Sequence, residues 1–344
     1  MGMPTVPATP SIRAVDALLA QGGLVPGRRL PRGARAPRPV KRDGAEEIRP
    51  QKQPRVVKSQ IEVVRAEAWS RWPWLVHGFS TRTGGVSHAY APAQRAGELN
   101  LGFGASDDRE KVLENRRRLL GTLGVRPNTP LVTLKQIHSS VIRRVTAADA
   151  DRTLRGDGLM TNEPGVLLAI QTADCIPVLL ADVKKKAVAA FHAGWRGTLK
   201  RIVENGVGRM RAEFGTHPED LIAAIGPGIG RCCYAVGQEV RSEFESQFAY
   251  AAEIFHEVSD SDPIHLKYPL LFLTARAPGH SNLGPSLHLD LMEANRRQLV
   301  DAGVPAGAIG VIGHCTSCQH NRYFSYRAER GFTGRMLSVI GVRK

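Results

Sequence analysis

Three residues in this chain combine metal-ligating chemistry with a place beside an apolar run: His138 in KQIHSS, Cys175 in TADCIP and His192 in FHAGWRG. They lie tens of residues apart, so no local knot of the C-x2-4-C kind gathers them, and tertiary structure must do so. Three dispersed ligands leave a fourth position open. That is the arrangement of a catalytic zinc rather than a structural one, with the open place taken by water or a substrate atom. A buried cysteine can equally be a small core hydrophobe and a lone histidine a satisfied polar residue, so spacing alone leaves both readings standing.

The neighbours add chemistry. Asp174, adjacent to Cys175, could act as a general base or orient a ligand, or could simply be a turn aspartate. After His192 the run Ala193-Gly194-Trp195-Arg196-Gly197 leads into a helix expected from Thr198, and this Gly-bounded turn presents Arg196 near a helix N-terminus. An arginine there suits a phosphate or carboxylate, which it can grip with two parallel hydrogen bonds. Cys315 and Cys318 form a C-x2-C pair, half a zinc ribbon or a redox pair by spacing. Cys232 and Cys233 are adjacent and do not supply the usual second C-x2-C, so the pair reads as structural or, through Cys315, as lining of the active site.

The elements that must carry these residues follow from periodicity. Runs rich in Val, Ile and Leu at 75–81, 130–138, 140–145, 165–172, 176–182, 187–193, 221–226 and 308–313 predict strands, several continuous enough to be covered on both faces. Apolar residues every three or four positions predict helices over 107–123, 198–214, 237–247 and 291–302. Asp107 and Asp108 open the first of these, where acids are favoured. Strands alternating with helices imply an α/β fold. Asp260–Leu287, with several Pro and Gly, reads as a loop or insertion.

Of 344 residues, 42% are hydrophobic, enough for a sizeable core, and the net charge is +15. Met1–Lys58 carries twelve Lys or Arg against four Asp or Glu and is rich in Pro, Gly and Ala. It reads as a disordered basic extension, followed by one folded domain over 59–344. Beyond that arm, basic residues are interspersed with acids and no RNA-binding aromatic motif stands out, so nucleic-acid contact is confined on this reading to the arm. Five cysteines without a secretory signal argue against a disulfide framework and place the chain in a reducing cytoplasm. No run approaches a membrane span, and a monomer and a dimer are both compatible with the sequence.

Taken in order, STRTGGVS, LNLG, DDREKVLENRRRL, KQIH, GDGLMTN, TADCIPVLLAD, FHAGWRG, AIGPGIG, LDLMEANRRQL and CTSC followed by YFSYRAERGFTGRM resemble the YfiH-like family, across about His77 to Val342. That family has been called polyphenol oxidase or laccase-domain, peptidoglycan editing factor, and purine nucleoside phosphorylase with adenosine deaminase activity. The resemblance implies a single α/β domain with mixed β-sheets sandwiched between helices, and one zinc held by His138, Cys175 and His192. It implies phosphorolysis of adenosine, guanosine, inosine and methylthioadenosine to base and ribose-1-phosphate, and deamination of adenosine. Arg82, Asn100 and Arg196 are then candidates for phosphate or ribose contacts, Asp174 for the proton shuttle. YFSYRAERG stands where the family more often has FFSYRR, which leaves a contact open to Arg327 but not to Ala328. Copper of the laccase kind would need closely spaced H-x-H pairs, which are missing around these residues, whereas one Cys and two His suit one zinc. An alternative enzyme reading is a cysteine hydrolase editing cell-wall peptidoglycan precursors, with Cys175 as nucleophile and His192 as base. A reading from another class is a basic protein whose arm contacts RNA or anionic lipid.

Overall fold

The near-continuous apolar runs become strands because both of their faces are covered. The computed structural model describes residues 60–91, 97–258 and 286–344. The basic extension over 1–58 and the Pro- and Gly-rich stretch up to residue 285 lie outside the described residues. In chain order the strands are β1 (Val63–Val64), β2 (Leu75–Ser80), β3 (Thr83–Ser87), β4 (Leu131–Val132), β5 (Leu134–Lys135), β6 (Ile142–Arg144), β7 (Leu154–Arg155), β8 (Gly158–Thr161), β9 (Leu167–Thr172), β10 (Ile176–Asp182), β11 (Val188–Ala193), β12 (Leu221–Ile225), β13 (Phe255–Val258), β14 (Ser286–Leu289), β15 (Ile309–Val311) and β16 (Met336–Val342). The helices are α1 (Arg109–Thr122), α2 (Trp195–Leu199), α3 (Ile202–Phe214), α4 (Gln238–Glu245), α5 (Ala251–Ile254) and α6 (Leu291–Asp301).

Two sheets dominate, one ordered β1-β2-β16-β9-β4 and the other β15-β12-β10-β11-β8-β6. Both are mixed: β4–β9, β12–β15 and β6–β8 pair in parallel, while β10 is antiparallel to both its neighbours. The alternation of side chains across a strand says what each face meets. In β10, Ile176, Val178 and Leu180 join Val203 of α3, Phe244 of α4 and Leu299 of α6. Leu179 and Ala181 face the other way, into a core with Leu168 and Ile170 of β9 and Ile340 of β16. The outer face of the first sheet, with Leu167 and Ala169 of β9, packs on Leu119 and Leu120 of α1. The layers are therefore helix, sheet, sheet, helices, the α/β sandwich that the family resemblance implies. Each fully buried Leu contributes about 1.5–3 kcal/mol relative to exposure, and between the sheets β2, β5, β8, β9 and β10 supply one each, Leu75, Leu134, Leu159, Leu168 and Leu179.

Local departures from the sequence expectations have physical causes. The helix expected over 198–214 begins earlier, at Trp195, and breaks at Arg201, which takes a left-handed conformation (φ 56°) before α3 starts. The strand expected over 130–138 is two short pieces, β4 and β5, because the chain leaves the first sheet there to enter the loop that carries His138. Residues 286 and 287, read as the end of a loop, belong to β14, which pairs with β13. Asp108 does open α1, its carboxylate accepting the Glu110 N–H at 2.9 Å.

His77 of β2 carries a pH dependence. It is buried, and its Nε2 accepts the Ala66 N–H at 3.2 Å, a bond that requires the neutral ring. Burial, reinforced by the Arg65 guanidinium, pulls its pKa down to about 4. The unfolded chain, with an ordinary histidine near 6.5, binds the proton more readily, so this contribution to stability is complete above pH 6.5 and is lost as pH falls toward 4. Urea unfolding at pH 7 and pH 5 should differ by about 1–2 kcal/mol on this account. His77→Gln, which keeps an acceptor but cannot titrate, should remove that part of the difference, and an unchanged pH slope would show that His77 is not its source.

Candidate functional site

The order of strands in the second sheet explains how distant residues meet. Reading β10-β11-β8-β6 along one edge, Cys175 immediately precedes β10, His192 is the penultimate residue of β11 opposite Pro177, Asp157 immediately precedes β8, and the His138 loop leads into β6. Neighbouring strands are about 4.8 Å apart, so four segments scattered over the sequence end side by side. The ligand atoms of His138, Cys175 and His192 all lie within 4.8 Å of one another. The Cys175 Sγ is 3.9 Å from His138 Nε2, and the two imidazoles meet edge to face with centroids 4.9 Å apart. The three donors thus converge on one point and could hold a metal ion there.

Asp157 organises this trio, and sequence reasoning missed it. It sits inside GDGLMTN, where an aspartate between two glycines looks like a turn residue. Its buried carboxylate accepts the backbone N–H groups of Ile137, His138 and Ser139, the Ser139 hydroxyl at 2.7 Å and, at 2.9 Å, the Nδ1–H of His192. The nest of N–H groups holds His138 in a left-handed conformation (φ 55°) that few non-glycine residues adopt. With Nδ1 committed to Asp157, His192 offers Nε2 to the point on which the three donors converge. Burial alone would raise the Asp157 pKa, but the hydrogen bonds from His192 and Ser139 hold the carboxyl far below the usual range. Burial also works against a charged Cys175, yet the His192 imidazolium and hydrogen bonds from His138 bring that thiol down to about 6. In return His192 is raised, burial being outweighed by the Cys175 thiolate and Asp157.

The remaining candidates divide. Arg196 is exposed at the mouth of the site, its guanidinium stacked 4.3 Å over the Trp195 ring. Asp174 lines the site but its carboxylate is occupied: Oδ1 accepts the hydroxyls of Thr316 and Ser325 at 2.6 and 2.7 Å, and Oδ2 the Arg327 N–H at 2.7 Å. These bonds secure a left-handed residue (φ 94°) at the tight crossing from β9 to β10, which aims Cys175. Arg82 and Asn100 do not line the cavity beside the trio. Arg82 is buried, with its nitrogens donating to Glu98, Glu329 and the His320 carbonyl. Asn100 donates to Asp107 and the Gly102 carbonyl and accepts the Arg335 N–H, a loop brace. Cys315 is likewise absent from the cavity wall.

Above the trio opens a cavity of about 990 Å³. Its cationic lining is Lys135, Arg152, Arg196, Arg327 and Arg335, its only carboxylate among the described residues is Asp174, and Phe103, Trp195, Tyr234 and Tyr326 supply aromatic surface. A planar, partly anionic small molecule fits that combination: cations for an anion, rings for a stacked base.

The family model described as multi-copper polyphenol oxidoreductase laccase matches residues 76–343, the whole of the sandwich but its first strand. This chain belongs to that YfiH-like family. Within it, a purine nucleoside phosphorylase of Deinococcus radiodurans is 39% identical over 266 residues, covering 77% of this chain and 88% of that protein. The adenosine deaminase RL5 of an unknown prokaryotic organism is 34% identical, covering 75% of this chain and 93% of that one. The crystal structure of a Bacillus licheniformis hypothetical protein YfiH superposes with a TM-score of 0.68 at 32% identity, over 82% of this chain and 96% of that one. No helix among the described residues of this YfiH-like chain is long and apolar enough to cross a membrane.

Gly194, in HAGWRG, ties the motif to the site. A Cβ there would lie 2.9 Å from the Cys175 Sγ and 3.1 Å from His138 Cδ2. Its backbone (φ −70°, ψ 170°) suits any residue, so close approach is what demands glycine. Gly194→Ala should weaken metal binding by about tenfold or more by pushing the two ligands apart, read by competition with a chromophoric chelator, while thermal stability changes little.

Proposed function

We propose that the chain is a zinc-dependent purine nucleoside phosphorylase that also deaminates adenosine. The observation carrying this reading is a His2Cys set converging at the floor of a cavity whose walls are cationic and aromatic. The donor set fits zinc: one thiolate and two imidazoles, each oriented, with the open side toward the cavity. When bound, the ion supplies a Lewis acid beside the reacting end of the substrate.

The chain's own residues do the rest. Arg196 and its cationic neighbours position phosphate for attack on the ribose C1′ as the C1′–N9 bond breaks, its electron pair passing to the purine. Tyr234 and Trp195 offer faces for the base. Asp157 fixes the His192 tautomer and the His138 loop. Asp174, with both oxygens engaged, is better suited to orienting Cys175 and Arg327 than to carrying protons. The same floor serves deamination, in which water replaces the amino group at C6 of adenine.

Product analysis from adenosine with and without phosphate tests this. Adenine with ribose-1-phosphate reports phosphorolysis, inosine with ammonia deamination, and formation of neither sinks the proposal. The depressed Cys175 thiol beside a protonated His192 also favours a cysteine hydrolase acting on a cell-wall precursor. On that reading thiol alkylation stops hydrolysis and metal chelation does not.

A further inference from the structure

The remaining four cysteines come together although the sequence pattern discourages the idea. Cys232 and Cys233, in the loop after β12, approach Cys318 to 3.4 and 3.3 Å, across 86 and 85 residues of chain. Cys315 completes the group, and all four sulfurs lie within 4.8 Å of one another. We propose that Cys232, Cys233, Cys315 and Cys318 bind one zinc ion, forming a second metal centre separate from the His138–Cys175–His192 site.

The geometry selects a single ion. Tetrahedral zinc with Zn–S bonds of about 2.3 Å places its sulfurs about 3.8 Å apart, which is the scale of this cluster. An iron–sulfur cluster with two or four irons distributes its cysteines over a wider span. Four thiolates close the coordination shell, leaving no position for water or substrate, and binding releases the four thiol protons. The backbone is arranged as it is around zinc thiolates: the N–H groups of Gly230 and Cys318 donate to the Cys315 Sγ at 3.3 and 3.5 Å. Adjacent cysteines thus take the place of the missing second C-x2-C because the bend at Gly230–Cys233 turns both sulfurs toward Cys318.

The centre has a structural consequence. One residue beyond Cys315, Thr316 donates to Asp174, and one residue before Gly230, Ile229 donates its N–H to the Asp174 carbonyl at 2.7 Å. An ion at the four cysteines would staple the two segments that brace Asp174 and supply Ile229, Tyr234, Tyr326 and Arg327 to the cavity wall.

Elemental analysis of the full-length protein, purified and dialysed against metal-free buffer, tests the proposal. The wild type should hold two zinc ions per chain, and Cys175→Ala and the double variant Cys232→Ser/Cys318→Ser one each. If the double variant does not fold, cobalt substitution of Cys175→Ala should still give the intense near-ultraviolet charge-transfer absorption of a tetrathiolate site. A Cys175→Ala protein with no metal and no such band overturns the proposal. So does an intact mass, under denaturing and non-reducing conditions, short of two hydrogens per cystine. A wild type that holds only one ion, retained in full by Cys175→Ala, supports this centre while removing the zinc assignment at the His2Cys site.

Discussion

Cys175→Ala should lower adenosine turnover by about three orders of magnitude or more, without unfolding the protein. A Lewis-acidic ion contributes several kcal/mol to transition-state stabilisation, and each 1.36 kcal/mol is a factor of ten. Cys175 immediately precedes β10 rather than lying within it, half-buried, so its truncation opens no core cavity. The proof that the metal is the cause comes from His138. If the three ligands act through one ion, His138→Ala should cost about as much activity as Cys175→Ala and should likewise remove one equivalent of metal. If Cys175 and His192 act alone as nucleophile and base, His138→Ala should leave most activity. The comparison is steady-state kinetics together with elemental analysis on the same preparations.

Residue types and motif order pointed to the candidate ligands, and tertiary pairing hid what supports them. His138, Cys175 and His192 stood out by residue type beside apolar runs, but spacing left a core cysteine and satisfied histidines open, and the ordered motifs of the family resemblance joined them into one set. The runs 176–182 and 187–193 became β10 and β11 because continuous apolar sequence can only be a strand covered on both faces or a buried helix segment. β3 and β8 were not legible: four or five residues of Thr, Gly and Ser or Met carry no alternation to detect. Arg82 was a candidate for phosphate or ribose contact through the family resemblance, whereas its ion pairs to Glu98 and Glu329 left no local sign, the second being a pairing across 247 residues. Asp157 was hidden for the same reason, since its His192 partner lies 35 residues further on. The four-cysteine cluster shows the limit most clearly. Spacing rules describe ligands within one loop, and this cluster joins two.

Asp157→Asn is expected to damage both the site and the fold. The carboxylate now accepts from three backbone N–H groups, a hydroxyl and an imidazole, in a fully buried position. An asparagine has one acceptor oxygen and turns an NH2 toward groups that are themselves donors, so several buried donors lose their partner. Removing one member of a buried charged network costs about 3–5 kcal/mol, which urea unfolding would read directly. The linkage has a definite sign. A carboxyl held below its unfolded value stabilises the fold at every pH above about 4 and loses that contribution on acidification, so the variant should be least impaired, relative to wild type, in acid. At the site, His192 would lose the acceptor that fixes its tautomer and His138 the anchor for its left-handed backbone. Loss of such a supporting carboxylate lowers metal affinity or activity by about 10–100-fold. Asp157→Glu, which restores charge but displaces it, should recover stability at neutral pH more than metal affinity. Wild-type affinity in Asp157→Asn would mean that the ligands hold their geometry unaided, and the role assigned to this carboxylate would fall.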